Sequence, residues 1–355
     1  MSVLGLARPE LLALSPYSSA RMEATSGEIW LNANESPWNP MALGRINRYP
    51  EPQPPSLLEA MADMYGVNPT RLFVGRGSDE PIDLLTRAFC RAGIDSVLVA
   101  PPTFGMYAVA AQVQGARVRS VPLLAERGFA FDVEAMLSAV DATTRIVYAC
   151  TPNNPTGNST DPQILLDLAE RIRDRALLVV DEAYIEFSLR PSLATHAGMP
   201  DNLVVLRTLS KAHGLAGVRI GAAIAAPDVI GLLRRIMAPY PLPEPSIDAA
   251  MKALSWEARQ LTQARIGQVR SERERMHVAL SRCEGVREVL PSDANFLAVR
   301  FDDPARRYLQ LAATGVIVRK LMKYSGLEDA LRISIGTQDE NDAVLAALDV
   351  RKETA

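Results

Sequence analysis

Cysteine and histidine are both scarce in this chain, with three of each among 355 residues. Cys90, Cys150 and Cys283 lie far apart without paired spacing. That argues against a disulfide framework or a Cys-rich zinc site and points to a reducing compartment. So few histidines leave little material for a His-based site, and no metal is expected. Charge of one sign is not in excess either. A formal net charge of −3 gives no reason to expect nucleic acid or an anionic membrane as a partner. No apolar run approaches the roughly 20 residues of a membrane span. The N-terminal region carries polar and acidic residues and prolines, without a basic-then-apolar signal segment. A cytoplasmic location is the expectation.

What the chain does have is alternation. Hydrophobic residues make up 48% and charged residues 22%, the balance of an ordinary globular chain. The length accommodates two domains. Between about residues 71 and 228, apolar stretches alternate with amphipathic ones. Strands are predicted at 72–74, 97–99, 117–121, 146–150, 177–180, 204–206 and 221–225. They are rich in Val, Ile, Leu and Ala with little alternation, as expected when helices cover both faces of a parallel sheet. Helices are predicted at 79–91, with Ile82, Leu85 and Phe89 on one face, and at 162–173. Pro239, Pro241, Pro243 and Pro245 then break regular structure and mark a boundary. A long helix is expected over 247–282, with Ile266, Val269, Met276 and Leu280 as its apolar stripe. Strands at 296–301 and 331–335, bracketing 316–318, complete a smaller α+β unit.

The chemistry concentrates in TLSKAHGLAGVRIG, residues 208–221. Lys211 follows an apolar strand, flanked by Thr208 and Ser210, with Arg219 close downstream. A lysine there can form a Schiff base with an aldehyde cofactor, and Thr208, Ser210 and Arg219 can hold its phosphate. Two other strands end in polar groups: Asp181-Glu182-Ala183-Tyr184, and Asn153-Asn154-Pro155-Thr156-Gly157 before it. Open α/β sheets bind ligands at such strand ends. Gly75-Arg76-Gly77-Ser78-Asp79 joins a strand to a helix, where small residues and a helix N-terminus favour an anion.

On these motifs and their order, the chain resembles the fold-type I aminotransferases, which use pyridoxal phosphate. Within them it is similar to the histidinol-phosphate aminotransferase family. The marks of that subgroup are LNANESP at 31–37, RYPEPQ at 48–53, APYPLP at 238–243, GVIVR at 315–319 and LRISIGT at 331–337. The resemblance runs nearly end to end. It implies a large α/β domain with a mainly parallel seven-stranded sheet over 40–245. The smaller α+β domain would take 1–39 together with 246–355.

The resemblance also implies roles. Lys211 would hold the cofactor and, once freed, move a proton between substrate and cofactor carbons. Asp181 would favour the protonated pyridine nitrogen that makes the ring an electron sink. Tyr184 and Asn154 would donate to the phenolic oxygen, and Tyr107 would stack on the ring. Gly77, Ser78, Asp79, Thr208, Ser210 and Arg219 would cradle the phosphate. Tyr49 would reach the phosphate of a neighbouring subunit, making an obligate homodimer with shared active sites. Arg332, Arg319, Tyr17 and Asn34 would hold the substrate. The implied small-molecule partners are L-glutamate, 2-oxoglutarate and L-histidinol phosphate. Two activities on the same scaffold stay open: an aromatic amino-acid aminotransferase, and a pyridoxal-phosphate-dependent decarboxylase of phosphorylated amino acids. Retention of Lys211, Asp181 and Arg219 together argues against a non-catalytic binding module. His213 stands where a bulky apolar residue is usual, close to Lys211, and Ser36 is a second departure.

Overall fold

A computed structural model describes residues 2–15, 29–39, 44, 46–196 and 198–348. Seven strands form the main sheet: β1 (Leu72–Gly75), β2 (Ser96–Val99), β3 (Arg117–Ser120), β4 (Thr144–Cys150), β5 (Leu177–Asp181), β6 (Leu203–Thr208) and β7 (Gly221–Ile224). Their spatial order is β1-β7-β6-β5-β4-β2-β3. All pairings are parallel except those of β7, which runs antiparallel to both β1 and β6. Each strand coincides with a predicted one.

Alternate residues point to opposite faces of a strand, and both faces here are apolar. Val74, Val147, Leu178, Val180, Val205 and Ala222 belong to one buried cluster. Phe73, Ile146, Tyr148, Val179, Val204 and Ala223 belong to another. That two-sided burial is why these strands read as continuous apolar runs. The exception is β3 at the sheet edge, where Arg117, Arg119 and Ser120 leave the strand partly exposed. Charge on an edge strand discourages pairing with another chain.

A second sheet comprises β8 (Val286–Val289), β9 (Phe296–Phe301), β10 (Arg319–Lys320) and β11 (Ala330–Ser334), in the order β10-β11-β9-β8, all antiparallel. The expected strands at 296–301 and 331–335 are β9 and β11, and the short β10 follows directly on 316–318 between them in sequence. β8 was not anticipated, because its residues are mostly solvent-facing and carry little apolar signal.

Three expectations are corrected. The long helix over 247–282 is two helices, Glu244–Ala253 and Trp256–Leu280. Ser255 starts the second by accepting from the Ala258 amide at 3.3 Å. Second, residues near the N-terminus do not pack on the smaller unit. Val3 and Ala7 share a buried cluster with Ile82 and Val229. The Arg8 amide donates to the Ala88 carbonyl at 2.9 Å, and the Arg235 guanidinium donates to the Leu11 carbonyl at 3.1 Å. This segment is a clasp on the outer helices of the main sheet. Third, the core does not break at 245: Leu242, Ile247, Ala250 and Leu254 join Leu57 and Met61 in one cluster. The prolines there separate the helices Pro227–Ile236 and Glu244–Ala253 without ending the hydrophobic core. A separate cluster, with Met276, Leu280, Val299, Leu331 and Ile333, forms the interior of the smaller unit.

The antiparallel β7 has a local consequence. Gly221 is the register partner of both Thr208 on β6 and Gly75 on β1. A Cβ at Gly221 would lie 2.4 Å from the Gly77 carbonyl carbon and from the Ser78 nitrogen. Gly221→Ala should therefore cost about 1–3 kcal/mol, the usual penalty of overpacking against backbone. Urea unfolding of the apoprotein reads this directly.

Candidate active site

The C-terminal ends of the parallel strands face one cavity. Its wall includes Ser78, Asp79, Phe104, Cys150, Asn154, Asp181, Ala183, Tyr184, Thr208, Ser210, Lys211 and Arg219. The parallel register explains the assembly: Cys150 pairs with Asp181, and Asp181 with Leu206, so three strand ends deliver side chains at one level.

One corner is built for an anion. Gly77 turns the chain with φ +73, and its amide donates to the Arg219 carbonyl at 3.1 Å. A Cβ there would lie 2.4 Å from Arg219 Nη2, so only glycine lets the guanidinium approach. The helix Asp79–Phe89 starts at this point, and no side chain caps its first turn. Those amide groups are left for a ligand. Arg219 Nη1 donates to Ser210 Oγ and Nη2 to Asp79 Oδ2, both at 3.2 Å. Thr208 Oγ1 accepts from the Ser210 amide at 3.1 Å. A guanidinium, two hydroxyls and an uncapped helix start form a donor set that fits a phosphate.

The opposite wall holds a buried acid. Asp181 is 2% exposed. Burial pushes its carboxyl pKa up, opposed by hydrogen bonds from Tyr107 and the Ala183 amide. Tyr107 Oη donates at 2.7 Å and Ala183 N at 3.0 Å, to different carboxylate oxygens. Here the expected role of Tyr107 is corrected. Its ring is buried behind the acid and stacked on Tyr148, with centroids 4.5 Å apart and planes at 5°. It does not face the cavity. Phe104, three residues earlier in the same segment, lines the cavity instead.

Lys211 follows β6 with its Nζ 5.4 Å from the centroid of the Tyr184 ring. Its pKa is lowered, first by burial and then by the charge of Arg332. Arg332 also donates to Asn154 Oδ1 in a very short contact and lies over the Phe296 ring at 5.1 Å. Tyr184 meets the same Phe296 edge-on at 5.3 Å. Arg319 is the register partner of Arg332 across β10 and β11. Like charges directly opposite on a sheet repel, and each is held there without an acidic neighbour bridging the pair among the described residues.

Among the described substrate and cofactor candidates, Asn34, Tyr49, Arg319 and Arg332 are not part of that cavity wall. Asn34 turns the chain at φ 55, a conformation asparagine tolerates. Tyr49 is 49% exposed and stacks on Tyr240 with centroids 4.3 Å apart. Its amide donates to Glu35 Oε1 at 2.6 Å. Tyr17 lies outside the described residues. His213 is not part of the cavity wall. Burial lowers its pKa, and the charges it feels are those of Glu186, Arg207 and Arg259.

The profile of the aminotransferase class I and II family matches residues 17–348. The chain belongs to that family. It is 50% identical over 357 residues to the histidinol-phosphate aminotransferase of Stenotrophomonas maltophilia (strain R551-3), covering 99% of this chain and 98% of the relative. It is 49% identical to the protein of the same name from Xylella fastidiosa (strain 9a5c), covering 98% and 96%. Among solved structures it is similar to the histidinol-phosphate aminotransferase of Sinorhizobium meliloti in complex with pyridoxal-5'-phosphate. That match has a TM-score of 0.77 at 26% identity and covers 87% of this chain and 83% of the other.

The Lys211–Arg332 coupling is testable without cofactor. A nearby cation penalises the ammonium form, so removing it must raise the lysine pKa. Arg332→Ala should shift the pH midpoint of Lys211 modification by an amine-reactive probe upward in the apoprotein. A midpoint that stays put contradicts the coupling.

Proposed function

We propose that this aminotransferase moves an amino group from L-glutamate to imidazole acetol phosphate, giving L-histidinol phosphate and 2-oxoglutarate, in histidine biosynthesis. The supporting observation is the facing pair Arg319 and Arg332. One guanidinium suffices for a carboxylate. Two on one sheet face suit an end group with more charge and three oxygens. Relatives of the same name at about half identity over the whole chain support the same reading.

The residues of the cavity fit pyridoxal phosphate. Bound there, it supplies an aldehyde that takes up amines and a protonated ring that accepts a carbanion's electron pair. Arg219, Ser210, Thr208 and the amides after Gly77 would hold the phosphate. Asp181 would face the ring nitrogen, Phe104 and Ala183 the two ring faces, and Tyr184 and Asn154 the phenolic oxygen. Lys211 is suited to proton transfer because burial and the charge of Arg332 lower its pKa, which favours the neutral amine that would accept a proton from the substrate carbon and return it. Arg332 would bind the carboxylate of L-glutamate and, in turn, the phosphate that occupies that end of L-histidinol phosphate. Arg319 would add contacts only to the phosphate.

We also read the enzyme as a cytoplasmic homodimer with shared sites. No described helix is long and apolar enough to cross a membrane. Beside Asp79 and Arg219 runs an exposed apolar strip with Met106, Val109, Val113 and Val218, where Val113 is 76% exposed. Apolar surface of this kind suits a second copy. Tyr49, half-exposed and directed by Glu35, would enter the partner's phosphate corner.

Arg319→Ala should weaken reaction with L-histidinol phosphate by about 1–3 kcal/mol, the loss of a charge-assisted hydrogen bond. The L-glutamate half-reaction should change far less. Single-turnover rates of the two half-reactions decide, and equal losses for both substrates contradict the phosphate role. For the assembly, Tyr49→Ala and Lys211→Ala chains should each be inactive alone. Mixed and re-equilibrated, they should regain activity, because a hybrid carries one intact site. A fully active monomer in light scattering rules out the shared site.

A further inference from the structure

We propose that Tyr107 is a positioning residue that holds Asp181 as a charged, oriented acceptor through its hydroxyl. The inference rests on the reading of Asp181 as the partner of the ring nitrogen. A carboxylate this deeply buried drifts toward its neutral form unless donors compensate. The donors to Asp181 are few. The Ala183 amide takes one oxygen at 3.0 Å and the Tyr107 hydroxyl takes the other at 2.7 Å. Each oxygen keeps a lone pair for a donor in the cavity.

Tyr107 is itself held firmly. It is 1% exposed, lies flat on Tyr148, and meets Phe104 edge-on at 5.6 Å. Tyr148 Oη is 3.2 Å from Thr86 Oγ1, which donates to the Ile82 carbonyl at 2.8 Å. The acid is thus anchored through Tyr107, Tyr148 and Thr86 to the same helix whose first turn forms the anion corner. The two ends of the cofactor pocket share one rigid support. Burial and the adjacent negative charge keep the Tyr107 hydroxyl protonated, so it remains a donor at every working pH. Other titratable groups acting on Asp181 or feeling its charge are Lys211, Asp79, Cys150, Tyr184 and Tyr148. None of them donates a described hydrogen bond to it.

Without the Tyr107 donor, Asp181 becomes a stronger base. The proton it shares with the ring nitrogen then shifts toward the carboxyl, and the ring loses positive charge. Less positive charge on the ring lets the Lys211 nitrogen keep its proton to higher pH.

The test uses holoenzyme carrying Tyr107→Phe, which keeps the ring and its stacking. The pH midpoint of the visible absorption band should rise by about one unit, and the half-reaction with L-glutamate should slow roughly tenfold, the scale of one hydrogen bond to a charged group. Tyr148→Phe, which removes a hydroxyl from the same stack but not from Asp181, should leave the midpoint in place. Asp181→Asn should shift the midpoint further, and adding Tyr107→Phe to it should shift it no more. Thermal unfolding of each apoprotein checks that the fold persists. A native midpoint in Tyr107→Phe, with a shifted one in Asp181→Asn, overturns the role of Tyr107 and leaves the ring-partner reading standing. A native midpoint in Asp181→Asn overturns that reading itself. Equal shifts in Tyr107→Phe and Tyr148→Phe mean general loosening of the stack and also overturn the proposal.

Discussion

The parallel register of β4, β5 and β6 is the constraint on which the rest depends. It brings Cys150, Asp181 and Thr208 to one edge of the sheet, with both faces sealed by apolar residues. A backbone with every strand group paired and both sides packed resists sliding, because a one-residue slip would turn apolar side chains out of both cores. The acid, the hydroxyls and the lysine that follows β6 therefore meet as a consequence of packing. The reversal of β7 then carries the chain back so that the loop ending at Arg219 meets the one containing Gly77. An arginine and a helix start far apart in sequence become one anion corner.

Electrostatics in this cavity works by opposition. Burial would neutralise Asp181, and two donors resist it. Burial and Arg332 both discourage charge on Lys211, and Asp181 and Asp79 partly restore it. Arg332 is itself discouraged by burial and by the facing Arg319. Burial thus biases both Asp181 and Lys211 toward their neutral forms, the kind of perturbation that clusters at functional sites. If the substrate anion binds between Arg319 and Arg332, as proposed, it would relieve their repulsion and couple binding to the charge environment of Lys211 through Arg332.

Much of this was legible in the chain. Strands buried on both faces announce themselves as unbroken Val, Ile and Leu runs, and all seven of the main sheet were found. The motif ends carrying Asn154, Asp181, Lys211 and Arg219 do converge on one cavity. What failed had physical reasons. The break at Ser255 is a single cap inside a polar helical stretch whose apolar stripe is too thin to reveal it. β8 has too little burial to signal a strand. Tyr107 and Phe104 are both aromatic and one helical turn apart, and only the path of the chain shows which one meets the cavity. The place of the N-terminal segment in the smaller unit was implied by the resemblance alone, and nothing local in the sequence shows that Val3 and Ala7 seat on the outer helices of the sheet.

The central claim is that the two-arginine face selects a substrate bearing a phosphate. The most direct measurement is kcat/KM for L-histidinol phosphate, L-histidinol and L-phenylalanine with 2-oxoglutarate as the common acceptor. The account predicts that L-histidinol phosphate is favoured over L-histidinol by a large factor, since the two differ only in the group that Arg319 and Arg332 would bind, and that it is also favoured over L-phenylalanine. Comparable values for L-histidinol phosphate and L-phenylalanine would contradict it, and would make this an aromatic amino-acid aminotransferase on the same scaffold.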